Sequence, residues 1–114
     1  MGRGIAVKNS EGEVFAPFDG EVTALFPQAI ALEFDDGINI FIHVGIDTVK
    51  LNGKFFTAKV EDGNRIRRGQ LLLEFDTAKI RKAGYSITTP VVVTNHTEFG
   101  DITFERLNKF FLSQ

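Results

Sequence analysis

Histidine is the residue type in this chain best suited to chemistry, and the sequence contains two, His43 and His96. His43 closes the apolar stretch "INIFIH" of residues 38–43, and Gly45 follows two positions later. A neutral imidazole can act as a nucleophile or a proton acceptor. The backbone N–H groups of the irregular "VGIDT" segment could hold a phosphoryl group or another anion. The local pattern by itself favours the alternative, a core or boundary histidine with a hydrogen-bond partner.

His96 lies in the polar stretch "TNHTEFGD" of residues 94–101, which has no apolar floor around it. Loops carry many polar side chains, so we expect His96 to be a solvated loop residue.

Cysteine is absent, which excludes disulfides and thiolate metal sites.

The strand that ends at His43 must be positioned by its neighbour, and the turn 36–37 (Asp-Gly) predicts a two-residue type I′ hairpin. In that register Ile30 lies opposite His43, and Gln28 lies opposite Gly45. Because side chains alternate along a strand, Gln28 and His43 would share one face and be diagonal neighbours. The same face would carry Ile30, Leu32, Phe34 and Phe41. A three-residue loop would shift the register by one and send Gln28 to the other face.

Turn signals built on Gly and Asp punctuate the whole chain, at 11–13, 18–20, 35–37, 61–64 and 67–69 among others. Short segments rich in Val, Ile, Leu and Phe separate them, which predicts an all-β antiparallel sandwich or barrel-sandwich hybrid. "DTAKIRKAG" at 76–84 predicts one short helix, with an Asp N-cap and a glycine stop. The C-terminal "RLNKFFLSQ" fits either a helical turn or a strand.

The length of 114 residues predicts a single domain, 1–114. The formal net charge of −2 argues against a non-specific grip on nucleic acid or on an anionic membrane. The first 14 residues contain no long apolar run, so we expect neither a signal peptide nor a membrane span, and a cytoplasmic location. Twelve phenylalanines are enough for a core and for a contact patch.

Four segments carry a resemblance to a known family. "MGRGIAVKNSEGEVFAPFDGEVTALF" at 1–26, "FIHVGIDTVKLNGKFF" at 41–56, "VEDGNRIRRGQLLLEFD" at 60–76 and "TTPVVVTN" at 88–95 resemble the glucose-type enzyme IIA domain of the bacterial phosphoenolpyruvate-dependent sugar phosphotransferase system. We expect neither a cofactor nor a metal in this chain, and the resemblance implies an antiparallel β-sandwich. It also implies a histidine, matching His43, that accepts a phosphoryl group from the carrier protein HPr and passes it to a IIB domain.

The resemblance extends to the residues around His43. Gly45 matches a position where backbone approaches the phosphoryl oxygens, and Asp47 matches an acidic residue that attracts a basic partner. Apolar positions around the family's docking surface match Phe26, Phe41 and Val49. The alternative for these three residues is plain core packing.

Two departures from the family pattern bear on activity. Gln28 stands where family members carry a second histidine, and an amide can donate a hydrogen bond but cannot titrate. We therefore expect that His43 can be phosphorylated and that onward transfer is impaired. The chain also begins later than family domains do, so a sheet edge could be open and allow homodimer formation.

Two other functions fit parts of the sequence. A degenerate regulatory or binding module would keep the docking face without efficient phosphotransfer, and Gln28 favours it. A zinc hydrolase on a related barrel-sandwich fold would use the spacing of His43 and Asp47 as an H-x₃-D ligand pair. That site also needs an H-x-H pair, which the sequence lacks.

Overall fold

In the part of the chain that the structure describes, the protein folds into two antiparallel sheets with two α-helices, as the sequence predicts for the sandwich and the short helix. The structure, a computed structural model, describes residues 4–8, 10–95 and 100–112. Within these residues the elements are β1 (Gly4–Lys8), β2 (Glu13–Phe15), β3 (Gly20–Phe26), β4 (Ala29–Phe34), β5 (Asn39–His43), a 3₁₀ helix (Thr48–Leu51), β6 (Phe56–Ala58), β7 (Arg65–Ile66), β8 (Leu71–Phe75), α1 (Thr77–Lys82), β9 (Thr88–Val93) and α2 (Gly100–Leu112).

The larger sheet has six strands in the order β1-β9-β5-β4-β3-β7, and the smaller has three in the order β2-β8-β6. Every pair of neighbouring strands is antiparallel. The strand that ends at His43, β5, therefore lies inside the larger sheet, with β4 on one side and β9 on the other. A histidine at the end of an internal strand has its backbone fixed by two neighbours.

Side chains alternate strictly along β5, so that one face of the strand lies in the core and the other carries His43. In β5, Ile40 and Ile42 are buried while Phe41 and His43 are half-buried on the other face. One apolar cluster joins both sheets and both α-helices. Its fully buried large members include Ile30, Leu32, Ile38, Leu72, Leu73, Ile80 and Leu107. This period-two pattern is what a sheet with one covered face requires.

The short helix α1 begins and ends where the sequence predicts. The Asp76 carboxylate accepts a hydrogen bond from the Lys79 N–H at 3.0 Å, which caps the first turn. Gly84, at φ +96°, follows the C-cap. The C-terminal segment that fits a helix or a strand by sequence lies in the helix α2 and in residues outside the described ones. Within the described residues, no helix is both long and apolar enough to cross a membrane.

The hairpin between β4 and β5 has a three-residue loop, so the predicted two-residue turn is wrong. The Phe34 N–H donates to the Ile38 carbonyl at 2.9 Å and closes a loop of residues 35–37. Gly37 ends this loop at φ +89°. Three-residue hairpin loops need a residue in the left-handed region at this place, and glycine adopts it without steric cost.

The longer loop shifts the register by one residue and changes the surroundings of His43. His43 pairs with Ala29 and not with the predicted Ile30, which pairs with Ile42. Of the apolar residues predicted to share a face with His43, only Phe41 does so. The others, Ile30, Leu32 and Phe34, are buried in the core.

Strand β3 contains a bulge between Val22 and Ala24 that aligns its end with the histidine. After the bulge Phe26 pairs with Ala29, and Ala29 pairs with His43. One row across three strands therefore runs Phe26, Ala29, His43. Ala29 is fully buried, so the small residue forms the floor between the phenylalanine ring and the imidazole.

Candidate functional site

His43 is half-buried at the end of β5 and lies beside an aromatic ring. The centroids of the Phe41 and His43 rings are 6.3 Å apart, with an interplanar angle of 44°. The centroids of the Phe26 and Phe41 rings are also 6.3 Å apart and nearly perpendicular, at 72°. Edge-to-face contacts of this kind favour fixed ring positions. The imidazole is thus neither sealed in the core nor free in solvent.

The two nitrogens of His43 have different surroundings. Nδ1 lies 2.9 Å from the carbonyl oxygen of Gly45. Because a carbonyl can only accept, Nδ1 must carry the proton and donate it. In the neutral ring the lone pair is then on Nε2. This geometry selects one nucleophilic nitrogen.

Gly45 could not be another residue without a change in the loop. Its φ is +79°, a value that residues with a Cβ rarely adopt. A Cβ at Gly45 would lie 2.5 Å from Thr48 Cγ2 and 2.6 Å from the carbonyl oxygen of Ser86. Thr48 and the Ser86 backbone therefore crowd Gly45, although no local pattern in the sequence indicates either contact. The predicted approach of the Gly45 backbone to phosphoryl oxygens stays a prediction.

Two of the backbone N–H groups that the sequence predicts for anion binding already donate hydrogen bonds within the protein. The Val44 N–H donates to the Gln28 carbonyl at 2.7 Å, and the Ile46 N–H donates to the Ser86 carbonyl at 3.2 Å. An anion at this loop would therefore need other donors than these two.

Gln28 is tied to the strand end through its backbone and does not lie as predicted. Its carbonyl bonds to Val44, so the predicted pairing of Gln28 with Gly45 is wrong. Gln28 belongs to the turn between β3 and β4 and is half-buried. Strand alternation does not fix the direction of a turn side chain, so the predicted common face of Gln28 and His43 stays a prediction.

Three exposed apolar side chains lie near His43 in the sheet or in the chain, and we call them the rim. Phe26 is 47% exposed, Val49 is 57% exposed and Ile46 is 45% exposed. These are large exposed apolar side chains, on β3 and in the segment that follows His43. Core packing is therefore not the role of Phe26 and Val49, while Phe41 is half-buried beside the Phe26 ring. Ile46 was missed, although an apolar residue in a turn next to the histidine was the available signal.

Asp47 is exposed and lies in the left-handed region at φ +61°, at the start of the 3₁₀ helix. Its carboxylate makes no capping hydrogen bond to that helix. Its main-chain carbonyl accepts from the Lys50 N–H at 3.1 Å. A charged group held at a strained backbone position two residues beyond Gly45 is available to a partner surface.

The second histidine, His96, lies outside the described residues. Its predicted solvated loop is therefore not described.

The chain was compared with protein families, with curated proteins and with solved structures. The family described as "phosphoenolpyruvate-dependent sugar phosphotransferase system, EIIA 1" matches residues 1–99. The chain is 49% identical over 104 residues to a "PTS system beta-glucoside-specific EIIBCA component" of Halalkalibacterium halodurans. The matched region covers 90% of the chain and 16% of that protein. A protein with the same description from Dickeya chrysanthemi is 48% identical over 101 residues, which covers 87% of the chain and 16% of that protein.

A solved structure shares the fold. The glucose permease IIA from Mycoplasma capricolum superposes with a TM-score of 0.78 at 30% identity, over 83% of the chain and 63% of that structure. The chain thus spans 16% of the length of the curated relatives, while the family match extends over most of the chain. The chain belongs to the EIIA family of the phosphoenolpyruvate-dependent sugar phosphotransferase system, whose members are phosphotransferase components.

Proposed function

We propose that His43 accepts a phosphoryl group on Nε2 and passes it on, so that the chain works as a phosphocarrier in sugar uptake. The observation that carries the proposal is the 2.9 Å contact between Nδ1 and the Gly45 carbonyl. It leaves the lone pair on the nitrogen that is not bound to the loop. Family membership supports the phosphoryl group as the electrophile.

The bond changes follow from this geometry. The Nε2 lone pair forms the N–P bond while the bond between phosphorus and the donor's leaving atom breaks, and the bonding pair stays with the donor. The imidazole ring gains positive charge as Nε2 attacks. The Nδ1–H bond to the Gly45 carbonyl then becomes charge-assisted and stronger. This bond therefore stabilises the transition state more than the ground state.

We propose HPr as the donor and a IIB domain as the acceptor. The relatives' descriptions join EIIB, C and A in one component, which supports a IIB partner. The docking surface would be the rim of Phe26, Ile46 and Val49, whose exposed area a protein partner can cover. The Asp47 carboxylate would attract a basic partner surface.

Gln28 is the residue we expect to limit onward transfer. Its support is the resemblance, in which it replaces a second histidine, together with its backbone bond to Val44 beside His43. An amide donor cannot supply the charge of an imidazolium. Losing such a donor costs about 10²–10³ in rate in known oxyanion sites.

Mass spectrometry tests the nucleophile. The chain is incubated with phosphoenolpyruvate, enzyme I and HPr, and a gain of about 80 Da is expected, the mass of one phosphoryl group. His43→Ala should abolish the gain, and His96→Ala is the matched control that should keep it. No gain in the wild type, or a gain that survives in His43→Ala, contradicts the proposal.

A degenerate regulatory module is the second candidate, and the presence of Gln28 favours it. Transfer from phosphorylated chain to a IIB domain separates the two functions. Gln28→His should accelerate this transfer by up to about 10²–10³-fold if the amide is the limiting group. An unchanged rate would remove Gln28 from the mechanism, and HPr binding without phosphorylation would favour the module.

We further propose that residues 1–114 act as one domain in the cytoplasm, as the family assignment supports.

A further inference from the structure

We propose that Thr48 is a positioning residue that keeps the Gly45 carbonyl on His43 Nδ1 and so selects the nucleophilic tautomer. The proposal rests on the proposed function of His43. Thr48 is fully buried, and its hydroxyl donates to the Val44 carbonyl four residues earlier. The hydroxyl therefore bonds to the backbone immediately before Gly45.

Both peptide planes on either side of Gly45 are held by named partners. The plane of Val44 and Gly45 is held through the Val44 carbonyl by the Thr48 hydroxyl. The plane of Gly45 and Ile46 is held through the Ile46 N–H by the Ser86 carbonyl at 3.2 Å. Peptide units are rigid and planar, so holding two consecutive planes fixes the dihedral angles between them.

The second plane also carries the carbonyl that accepts from His43 Nδ1. Glycine has no Cβ and does not restrict its own dihedral angles, so Gly45 needs outside contacts to keep this carbonyl in place. Thr48 supplies one such contact through its hydroxyl and a second through its Cγ2 methyl group. This methyl group lies so close to Gly45 that a Cβ placed there would be 2.5 Å from it. Thr48 thus acts on His43 through Gly45, without touching the ring.

The expected effect is a change in the tautomer of His43. A hydrogen bond of ordinary net strength changes an equilibrium by about two- to tenfold. Removing the Thr48 hydroxyl should shift the ratio of Nδ1–H to Nε2–H tautomer by that factor, toward Nε2–H. The rate of phosphoryl acceptance follows the populated fraction of the Nδ1–H tautomer, so it should fall by at most that factor.

Nitrogen NMR of the neutral His43 ring reads the tautomer directly and needs no phosphoryl donor. The chain labelled with ¹⁵N is compared as wild type, Thr48→Val, which keeps the shape and loses the hydroxyl, and Thr48→Ser, which keeps the hydroxyl. The matched control is Thr89→Val. Thr89 is also a buried threonine whose hydroxyl donates to a backbone carbonyl, that of Ile87 at 3.0 Å, outside the loop of His43.

The proposal expects the Nδ1–H tautomer in the wild type, in Thr48→Ser and in Thr89→Val, and a shift toward Nε2–H in Thr48→Val. An unshifted Thr48→Val, or a wild type already in the Nε2–H form, overturns it. If Thr48→Val does not fold, Thr48→Ala carries the measurement. If neither variant folds, the role of Thr48 is to stabilise the fold and not to position Gly45, and the proposal is overturned. Because the readout needs no donor, its failure leaves the mass test of His43 untouched.

Discussion

Replacing Gly45 with alanine is the substitution whose consequences the structure specifies most fully. The added methyl meets two separate obstacles. The backbone stands at φ +79°, and the new Cβ would lie 2.5 Å from Thr48 Cγ2 and 2.6 Å from the Ser86 carbonyl oxygen. The Ser86 oxygen is backbone that already accepts a bond from Ile46, so it cannot withdraw without cost.

The two obstacles have separate magnitudes. A left-handed conformation costs a residue with a Cβ about 1–2 kcal/mol, and forcing an extra methyl into packed structure costs about 1–3 kcal/mol. Gly45→Ala should therefore lower the free energy of unfolding by about 2–5 kcal/mol, the sum of both. This is a large share of the roughly 5–15 kcal/mol that stabilises a domain.

Urea unfolding measures the loss, and Gly63→Ala is the matched control. Gly63 has nearly the same φ, +82°, but nothing lies within 4 Å of a Cβ placed there. Gly63→Ala should cost only the conformational part, about 1–2 kcal/mol. If Gly45→Ala is no more destabilising than Gly63→Ala, the crowding by Thr48 and Ser86 is refuted.

Three further predictions concern the surface. Phe26→Ser or Val49→Ser should slow phosphoryl acceptance from HPr by about fivefold or more, because anchor contacts at interfaces are worth over about 1 kcal/mol. The urea midpoint should barely change, and normal rates in both variants would exclude the docking role. The Arg65 guanidinium hydrogen-bonds the Asp35 carboxylate at 2.7 and 2.8 Å and, with its charge, lowers the pKa of Asp35 below its ordinary value. The stabilisation of the fold by this ion pair is therefore complete above the pKa of Asp35 in the unfolded state and is lost as the pH falls through its lower pKa in the folded state. A carboxyl NMR titration should show the pKa of Asp35 rising in Arg65→Met, and an unchanged titration would contradict the ion pair. Strand β1 ends the larger sheet, so light scattering at high concentration should detect self-association through an open edge, and a strictly monomeric profile would count against it.

Local chemistry in the sequence determines a large part of this protein. The Asp76 cap and the Gly84 stop delimit α1 because both act within one helical turn. Alternating apolar residues predict the strands, since period two follows from backbone geometry alone. The segment from His43 to Asp47 indicates the family and the candidate nucleophile before any contact is known.

Only the tertiary structure decides how the strands meet. Gly37 has a positive φ in a two-residue type I′ turn and also in a three-residue loop, so the letters Asp-Asp-Gly do not distinguish the two registers. The choice brings Ala29, and not Ile30, opposite His43. The Ser86 carbonyl reaches Ile46 from forty residues away in the chain. Because contacts of this kind depend on folding of the whole sheet, one of the two hydrogen bonds that hold the peptide planes at Gly45 comes from packing that no local pattern encodes.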